Sequence, residues 1–296
     1  MRPRCMIHRY SAFERLLLWA VLTFAVPHRT LGADTTIRYK PVSHEVVESR
    51  LRKYEGNDRQ REATLRQMFT DSGCDDRHVS EQAVKAARQP NVICLLPGSS
   101  ERAIIVGAHF DHVSAGDGVV DNWSGASLLP SMYEAVKIEP RTHTYIFIGF
   151  TDEEKGEIGS HFYAGQMSKE QVAATDAMVN MDTLGLTTTE IWASHSDQRL
   201  SGALVYIAKR LELPIKSVNI DQIGSTDSVQ FAARGIPSIT IHSLTQETWN
   251  ARILHTPKDR ISAMRLDDYY QTYKLLAAYL VFLDEAAPKP TTAGGK

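Results

Sequence analysis

The sequence has few cysteines, almost no net charge and no apolar run long enough for an ordinary membrane helix. Its 33 basic and 35 acidic side chains give a formal charge of -2, which argues against a nucleic-acid groove or a polybasic membrane surface. It contains no internal repeat, low-complexity tract or long run of like charge. Hydrophobic residues make up 43% of its 296 residues, so the composition predicts a globular protein with a large core.

The first 33 residues have the pattern of a secretory signal peptide. Four arginines precede a short apolar run at residues 16–26, and the small residues Gly32 and Ala33 follow it. The run is too short to span a bilayer comfortably, although an uncleaved amphipathic or membrane-anchoring segment is the alternative. We therefore expect a secreted or periplasmic protein with no stable membrane span after cleavage.

The three cysteines have different expected fates. Cys5 lies within the predicted signal peptide and would be removed with it. Cys74 and Cys94 would remain, and an even pair in an oxidising compartment is compatible with a disulfide. The alternative is two free thiols, with Cys94 buried in a strand at residues 91–96.

The hydrophobic pattern predicts one domain of alternating strands and helices at residues 34–285, followed by a disordered tail at 286–296. Strands are predicted at residues 91–96, 103–108, 141–150, 177–181, 190–193 and 237–242. Helices are predicted at residues 44–54, 59–68, 124–137, 159–167, 198–211, 227–233 and 266–283. This alternation indicates a three-layer α/β/α sandwich around a mixed, mostly parallel sheet. The Pro-Gly-Ser-Ser turn at 97–100 predicts a hairpin between the first two strands.

Chemically versatile side chains follow three of the predicted strands. His109 follows the second strand, Glu153 and Glu154 follow the third, and Asp182 follows the fourth. Sites in α/β folds gather at the carboxyl ends of the strands. The adjacent glutamates are expected to point in opposite directions from extended backbone, so that one can hold a metal while the other reaches its bound water.

Each of these groups also has an ordinary interpretation. Asp111, two residues after His109, has the spacing to receive the second ring N–H of a metal-bound imidazole, but most His-x-Asp pairs are surface coincidences. Asp121 lies at a loop-to-helix junction, where it has the position to bridge two cations or to cap the helix. An isolated Glu-Glu pair is usually a solvated turn, although the strand before this pair is strongly apolar.

Together the candidates form a ligand set of two imidazoles and three carboxylates, with one carboxylate to spare. The five candidate metal ligands are His109, Asp121, Glu154, Asp182 and His255. Mixed nitrogen and oxygen ligands suit Zn²⁺, with Co²⁺ or Mn²⁺ as substitutes. The set therefore predicts a two-metal hydrolase.

The order of these blocks resembles that of the co-catalytic di-zinc aminopeptidases, which include bacterial leucyl aminopeptidase and aminopeptidase Y. The resemblance covers roughly residues 91–283; glutaminyl cyclase and glutamate carboxypeptidase are more distant relatives. The blocks are Gly-Ala-His-Phe-Asp at 107–111, Val-Asp-Asn-Trp-Ser-Gly at 120–125, Asp-Glu-Glu at 152–154, Asn-Met-Asp at 180–182 and His-Thr at 255–256.

The resemblance implies a role for each residue. It implies that His109 and Asp182 bind one zinc, Glu154 and His255 bind the other, and Asp121 bridges the two. It also implies that Glu153 is the general base for a metal-activated water, that Asp111 orients His109, and that the Asp121–Asn122 peptide is cis. The implied substrates are peptides with a free N-terminus.

One block departs from the family, and several other residues have simpler interpretations. Many relatives have Ser-Asp-His where this chain has Ser-Thr-Asp-Ser at 225–228, which affects the substrate pocket more than the metal shell. The tract at 243–254 is expected to line that pocket beside His255. The sequence favours structural or surface roles for three histidines and packing roles for three tryptophans, namely His161, His195, His242, Trp123, Trp192 and Trp249.

Two other functions are compatible with the same scaffold. A glutaminyl cyclase uses a single zinc, but relatives of that kind carry a longer insertion than the four residues 155–158 found here. A non-catalytic binding domain usually loses ligands or the base, whereas this sequence retains all six. A carboxypeptidase or dipeptidase remains a variant of the peptidase hypothesis.

Overall fold

An eight-stranded mixed sheet forms the centre of the fold. A computed structural model of the chain describes residues 39–137 and 141–286. The strands are β1 (Val79–Gln82), β2 (Asn91–Leu96), β3 (Ala103–His109), β4 (Thr144–Phe150), β5 (Thr175–Met181), β6 (Glu190–Trp192), β7 (Lys216–Val218) and β8 (Ser238–His242). Their order is β1-β2-β4-β3-β5-β8-β6-β7, and β4, β3, β5 and β8 run parallel to one another. The predicted mixed, mostly parallel sheet is confirmed.

Helices cover both faces of this sheet. They are α1 (His44–Leu51), α2 (Asp58–Asp71), α3 (Ser124–Val136), α4 (Ile158–Gln166), α5 (Lys169–Ala174), α6 (Gln198–Arg210), α7 (Ser228–Ala232), α8 (Gln246–Asn250) and α9 (Leu266–Ala286). Alternate residues of β3 enter different cores, since Ile104 and Val106 pack with α3 and α9 while Ile105 packs with α4 and α7. This alternation along a strand produces the three layers that the sequence predicts.

Two expectations fall on the ends of the chain. The predicted signal peptide and residues 287–296 of the predicted tail lie outside the described residues. Within residues 39–137 and 141–286, no helix has both the length and the hydropathy needed to cross a bilayer.

The predicted hairpin at residues 97–100 is wrong. β2 and β3 are not neighbours, because β4 lies between them, antiparallel to β2 and parallel to β3. The turn instead crosses the start of β4, where Ser99 N–H and Ser100 N–H donate to the carbonyls of Arg141 and Thr142. The Pro-Gly pair correctly marks a turn, but it does not determine which strand pairs with β2.

A disulfide fastens the outer part of the sheet. Cys74, just after α2, is bonded to Cys94 in β2, and both side chains are fully buried. Of the two alternatives left open by the sequence, the structure contains the disulfide. It links the helical layer to the sheet on the side where β1 also pairs with β2.

Candidate metal centre

The candidate site lies where three adjacent parallel strands end. His109 is the last residue of β3, Glu153 and Glu154 follow β4, and Asp182 follows β5. These strands are neighbours in the order β4-β3-β5, so their carboxyl ends meet at one edge of the sheet. The strand order alone therefore brings together four side chains from segments that are far apart in sequence.

His109 is at the centre of this cluster. Its Nε2 lies 3.3 Å from Asp121 Oδ1, 3.7 Å from Asp182 Oδ1 and 3.9 Å from Glu153 Oε2. The imidazole is only 1% exposed, and so it faces the carboxylates without competition from bulk water.

His255 approaches from a loop on the other side of Asp121. Its Nε2 lies 3.1 Å from Asp121 Oδ2 and 2.9 Å from Glu154 Oε2. Each oxygen of Asp121 therefore faces a different imidazole. A carboxylate in that position has the geometry to bridge two cations.

The backbone that carries Asp121 is tightly fixed. The Asp121–Asn122 peptide is cis, as the family resemblance implies. Asn122 Oδ1 accepts hydrogen bonds from Gly125 N–H and Thr183 N–H, and its amide nitrogen donates to Met181 O. Asn122 therefore supplies the side-chain acceptor at the start of α3.

Asp111 connects His109 to the glutamate pair. Its carboxylate lies 3.4 Å from His109 Nδ1, and it accepts hydrogen bonds from Glu153 N–H at 3.0 Å and Glu154 N–H at 3.2 Å. Asp111 is 1% exposed, so these protein groups surround its carboxylate in place of bulk water. Asp111 is thus placed to orient an imidazole and the glutamate turn together.

The two glutamates are not on extended backbone, which corrects the expectation from sequence. Glu153–Lys155 forms a single 3₁₀ turn, preceded by Asp152 at φ 52°. The turn nevertheless sends Glu153 towards His109 and Glu154 towards His255. The two side chains point in different directions because of this turn, and not because side chains alternate along a strand.

The electrostatics of the cluster follow from burial and crowded negative charge. Burial is the largest cause that raises the pKa of Glu153 above its usual range, and the charges of Asp227 and Asp182 add to it. Burial opposes protonation of His109, but the surrounding carboxylates outweigh it and raise its pKa. Hydrogen bonds to Asp121 and Glu154 raise the pKa of His255 to about 10. The cluster therefore favours added positive charge.

The donor set fits divalent zinc. Two groups have ligand atoms within 4.8 Å of one another: His109, Asp121 and Glu154, and His109, Glu153 and Asp182. Glu154 Oε1 is buried and makes no hydrogen bond with the residues that the structure describes. Such an oxygen is rarely left unpaired, and a cation is a suitable partner for it. The assignment of each ligand remains a prediction.

Three supporting residues were not singled out by the sequence analysis. Arg61 of α2 is buried and donates to the carbonyls of Phe110 and Gly118, which bracket the loop between His109 and Asp121. Thr226 Oγ1 donates to Asp182 Oδ2 at 2.6 Å, so the divergent block at 225–228 does contact a predicted ligand. Asp259 accepts hydrogen bonds from the Asp121 loop. No sequence motif indicates these contacts, because each is a hydrogen bond between segments that are distant in sequence.

A cavity of about 310 Å³ opens beside the cluster. His242, Trp192 and Trp249 are among its lining residues. Trp192 is also buried in the hydrophobic core and His242 is 1% exposed, which agrees with the packing and structural roles predicted for them. Leu244 and Leu254 from the 243–254 tract also line it, as the position of that tract beside His255 suggested. Apolar side chains, among them Ile220, Leu244 and Leu254, therefore form one part of the wall, and the predicted metal ligands are among its polar residues.

The fold and the side-chain cluster define an α/β metallohydrolase. Residues 91–280 match the sequence model of Peptidase family M28, and the chain belongs to this family. The match confirms the resemblance found in the five sequence blocks.

Known proteins similar to this chain include aminopeptidases and a cyclase. Over 242 residues it is 25% identical to aminopeptidase YwaD from Bacillus subtilis strain 168, a match that covers 79% of this chain but only 50% of that protein. The chain thus spans about half the length of this relative. BSAP, a zinc aminopeptidase from Bacillus subtilis, has a TM-score of 0.61 at 24% identity, covering 68% of this chain and 52% of that one. A glutaminyl cyclase from an Acidobacteriales bacterium has a TM-score of 0.69 at 15% identity, with coverage of 86% and 100%. The two structural matches show a shared fold alone.

Proposed function

We propose that the protein is an exported zinc-dependent aminopeptidase, which hydrolyses the first peptide bond of substrates with a free N-terminus. The observation that carries the proposal is the position of Asp121, whose two oxygens face His109 and His255 at 3.3 and 3.1 Å. Around that carboxylate the fold supplies further oxygen ligands and one additional, largely buried glutamate, which is the set that two-metal hydrolysis requires.

The proposed ligands divide into two pairs that share a bridge. His109 and Asp182 would hold one zinc, Glu154 and His255 the other, and Asp121 both; Co²⁺ or Mn²⁺ are possible substitutes. When bound, such ions make water more acidic and stabilise negative charge on a carbonyl oxygen.

Glu153 is the proposed general base. Its side chain is 12% exposed and faces the cluster from the turn that Asp111 fixes. It would accept a proton from the attacking water and return it to the amine of the leaving peptide. Burial and neighbouring carboxylates raise its pKa, whereas cations bound nearby would oppose this shift and favour the ionised form that accepts a proton.

The charge of the cavity supports a substrate with a free amino terminus. Glu157 and Asp182 line it together with Glu153 and Glu154. Two zinc ions would neutralise most of this negative charge, but Glu157 is not among the proposed ligands and would attract an ammonium group and repel a carboxylate. An N-terminal residue is therefore favoured over a C-terminal one, which supports an aminopeptidase over a carboxypeptidase.

Export is proposed from the predicted signal peptide and is consistent with the Cys74–Cys94 disulfide, because disulfides persist in oxidising compartments. N-terminal sequencing of the protein recovered from the medium or periplasm tests it. The expected product begins near residue 34, whereas an intact Met1 on the soluble product would contradict export.

A panel of aminoacyl anilides, dipeptides and a glutaminyl peptide tests the activity. The zinc-loaded protein should release amino acids, contain two zinc ions per chain, lose activity on chelation and regain it when zinc is restored. Pyroglutamate formation with one zinc per chain would instead support the cyclase. Peptide binding without any turnover would support a non-catalytic domain.

A further inference from the structure

A second cavity adjoins the one that the proposed zinc ligands line. It has a volume of about 640 Å³, and its lining residues lie between Thr248 and Thr256. Trp249, Leu254 and His255 line both cavities, so the two share one wall. A molecule bound at the proposed zinc ligands therefore has a neighbouring space into which it can extend.

This shared wall is accessible from outside. The His255 side chain is 54% exposed, whereas that of His109 is 1% exposed. Trp249 is 37% exposed, although tryptophan is usually well buried. An exposed indole ring offers a rigid apolar surface for a ligand to contact. The proposed zinc centre is therefore open on the side of His255, next to the second cavity.

Arg252 brings a positive charge to the second cavity, where none of the described lining residues is acidic. Its side chain is exposed, and its guanidinium makes no hydrogen bond or ion pair with any residue that the structure describes. The ammonium group of Lys258 donates to Ala251 O at 2.7 Å, which adds a second positive charge close to the backbone of Arg252. A guanidinium with free donors favours a carboxylate, because the two can form a pair of parallel hydrogen bonds.

The first cavity has the opposite charge. Glu157 lines it and is not among the proposed zinc ligands, so its negative charge would remain when zinc is bound. Gln230 Nε2 donates to Glu157 Oε2 at 2.6 Å and holds that carboxylate in place. One cavity thus has a free negative charge and the adjoining cavity a free positive charge. A peptide with an ammonium group at one end and a carboxylate at the other is complementary to this arrangement.

The spacing between Arg252 and His255 limits the length of such a peptide. The two residues are three positions apart, so their Cα atoms are at most about 11 Å from each other. Thr256 Oγ1 donates to Arg252 O at 2.9 Å, which shows that the chain folds back here. An extended residue spans about 3.3–3.6 Å. A carboxylate at Arg252 would therefore lie one to three residues beyond a bond cleaved beside His255.

We infer that Arg252 is a specificity-determining residue, which binds the C-terminal carboxylate of short peptides and so favours substrates of two to four residues. The inference rests on the proposed aminopeptidase function. The N-terminal residue would occupy the first cavity, and the leaving peptide would pass over Trp249 to reach Arg252.

A tripeptide and its C-terminal amide isolate this charge. We expect the zinc-loaded enzyme to cleave leucyl-glycyl-glycine about three- to tenfold more efficiently in kcat/KM than leucyl-glycyl-glycinamide at low salt, as for a partly exposed ion pair with two hydrogen bonds. The difference should lie in KM, because the contact is remote from the bond that breaks, and it should shrink at high salt. A free acid that is cleaved no better than the amide would overturn the inference.

Peptide length separates a local contact from a long-range effect of charge. Added glycine residues move the carboxylate beyond Arg252, so the preference for the acid over the amide should be lost at about six residues. An acid preference as large in the hexapeptide as in the tripeptide would contradict a carboxylate site at Arg252.

Matched variants assign the preference to one side chain. Arg252→Gln removes the charge and should bring the ratio of acid to amide to about one. Arg252→Lys keeps the charge but loses the parallel donors, and so it should retain part of the preference. Arg260→Gln is the control, because Arg260 is also exposed but is not among the lining residues of either cavity. If the full preference survives in Arg252→Gln, the inference fails.

A binding measurement keeps this test separate from the test of activity. Leucyl p-nitroanilide tests the proposed function by itself, because it has no C-terminal carboxylate. If the protein hydrolyses neither the anilide nor the peptides, the proposed function fails, but calorimetry with the tripeptide and its amide on the zinc-loaded protein still tests Arg252. Tighter binding of the acid that is lost in Arg252→Gln supports the carboxylate site, and equal binding overturns it.

Discussion

Asp259 holds the backbone of Asp121 in place. Its Oδ2 accepts the Asp121 N–H at 3.1 Å, and its Oδ1 accepts the Val120 N–H at 2.7 Å. Asp259 is 2% exposed and lies four residues after His255. One short loop therefore carries a predicted zinc ligand and the anchor of the predicted bridging ligand. We expect this anchor to hold Asp121 where its two oxygens face the two imidazoles.

Replacing Asp259 by alanine should weaken zinc binding without removing any ligand. We expect an affinity loss of about 10- to 100-fold, typical of residues that orient metal ligands. Asp259→Asn keeps one acceptor oxygen and should give an intermediate loss. Competition with a chromophoric chelator measures the affinity, and Asp76→Asn, at an exposed aspartate, is the control. An unchanged zinc affinity in Asp259→Ala would refute the anchoring role.

Replacing Glu153 by glutamine should separate metal binding from proton transfer. Glutamine has nearly the same shape but cannot accept the proton of the attacking water, so kcat should fall by about 10²- to 10⁴-fold. Zinc content should be unchanged, because Glu153 is not among the proposed ligands. Steady-state kinetics and metal analysis of the same preparation give both values, with exposed Glu55→Gln as control. Near wild-type turnover would disprove the base assignment.

Much of the candidate site is predictable because it depends on strand ends. Apolar runs before His109, Glu153 and Asp182 mark three strands, and parallel strands bring their carboxyl ends together. The closeness of these residues in space therefore follows from the class of fold. The predicted assignment of Asp121 and His255 to particular zinc ions came from the family resemblance, since neither residue directly follows a strand.

Other features of the fold and the site could not be predicted from the sequence, because they depend on contacts between distant segments. The order β2-β4-β3 is set by pairing over tens of residues, whereas a turn signal is local and consecutive strands most often pair. Arg61 looks like an ordinary helix-surface arginine in sequence, yet it is 1% exposed beneath the Phe110–Gly118 loop. Nothing in the sequence near His242 indicates that it is among the residues that line the cavity.

Removing the Cys74–Cys94 disulfide should lower stability. The bond closes a loop with a sequence separation of 20, for which restriction of the unfolded chain contributes about 3 kcal/mol. The Cys74→Ser, Cys94→Ser double variant should therefore unfold at a lower urea concentration than the oxidised protein. A reductant should destabilise the wild type to a similar extent and leave the double variant unaffected. Equal midpoints for oxidised wild type and variant would contradict this expectation.

Asp284 near the end of α9 should make stability depend on acid pH. Burial opposes its charge, but hydrogen bonds from His143 and from the Thr142 and His143 N–H groups outweigh burial and lower its pKa below 3.8. Its stabilising contribution is therefore present above about pH 4 and is lost as pH falls through the lower folded-state pKa. Asp284→Asn should cost about 1.5–3 kcal/mol at pH 7, the range for hydrogen bonds to a charged group.

The difference in unfolding free energy between wild type and Asp284→Asn, measured by urea unfolding from pH 7 to pH 3, should shrink at the acid end. Asp267→Asn, at an exposed position of the same helix, should cost at most about 1 kcal/mol. A difference between wild type and Asp284→Asn that is constant across this range would show that the charge of Asp284 does not hold α9 to the start of β4.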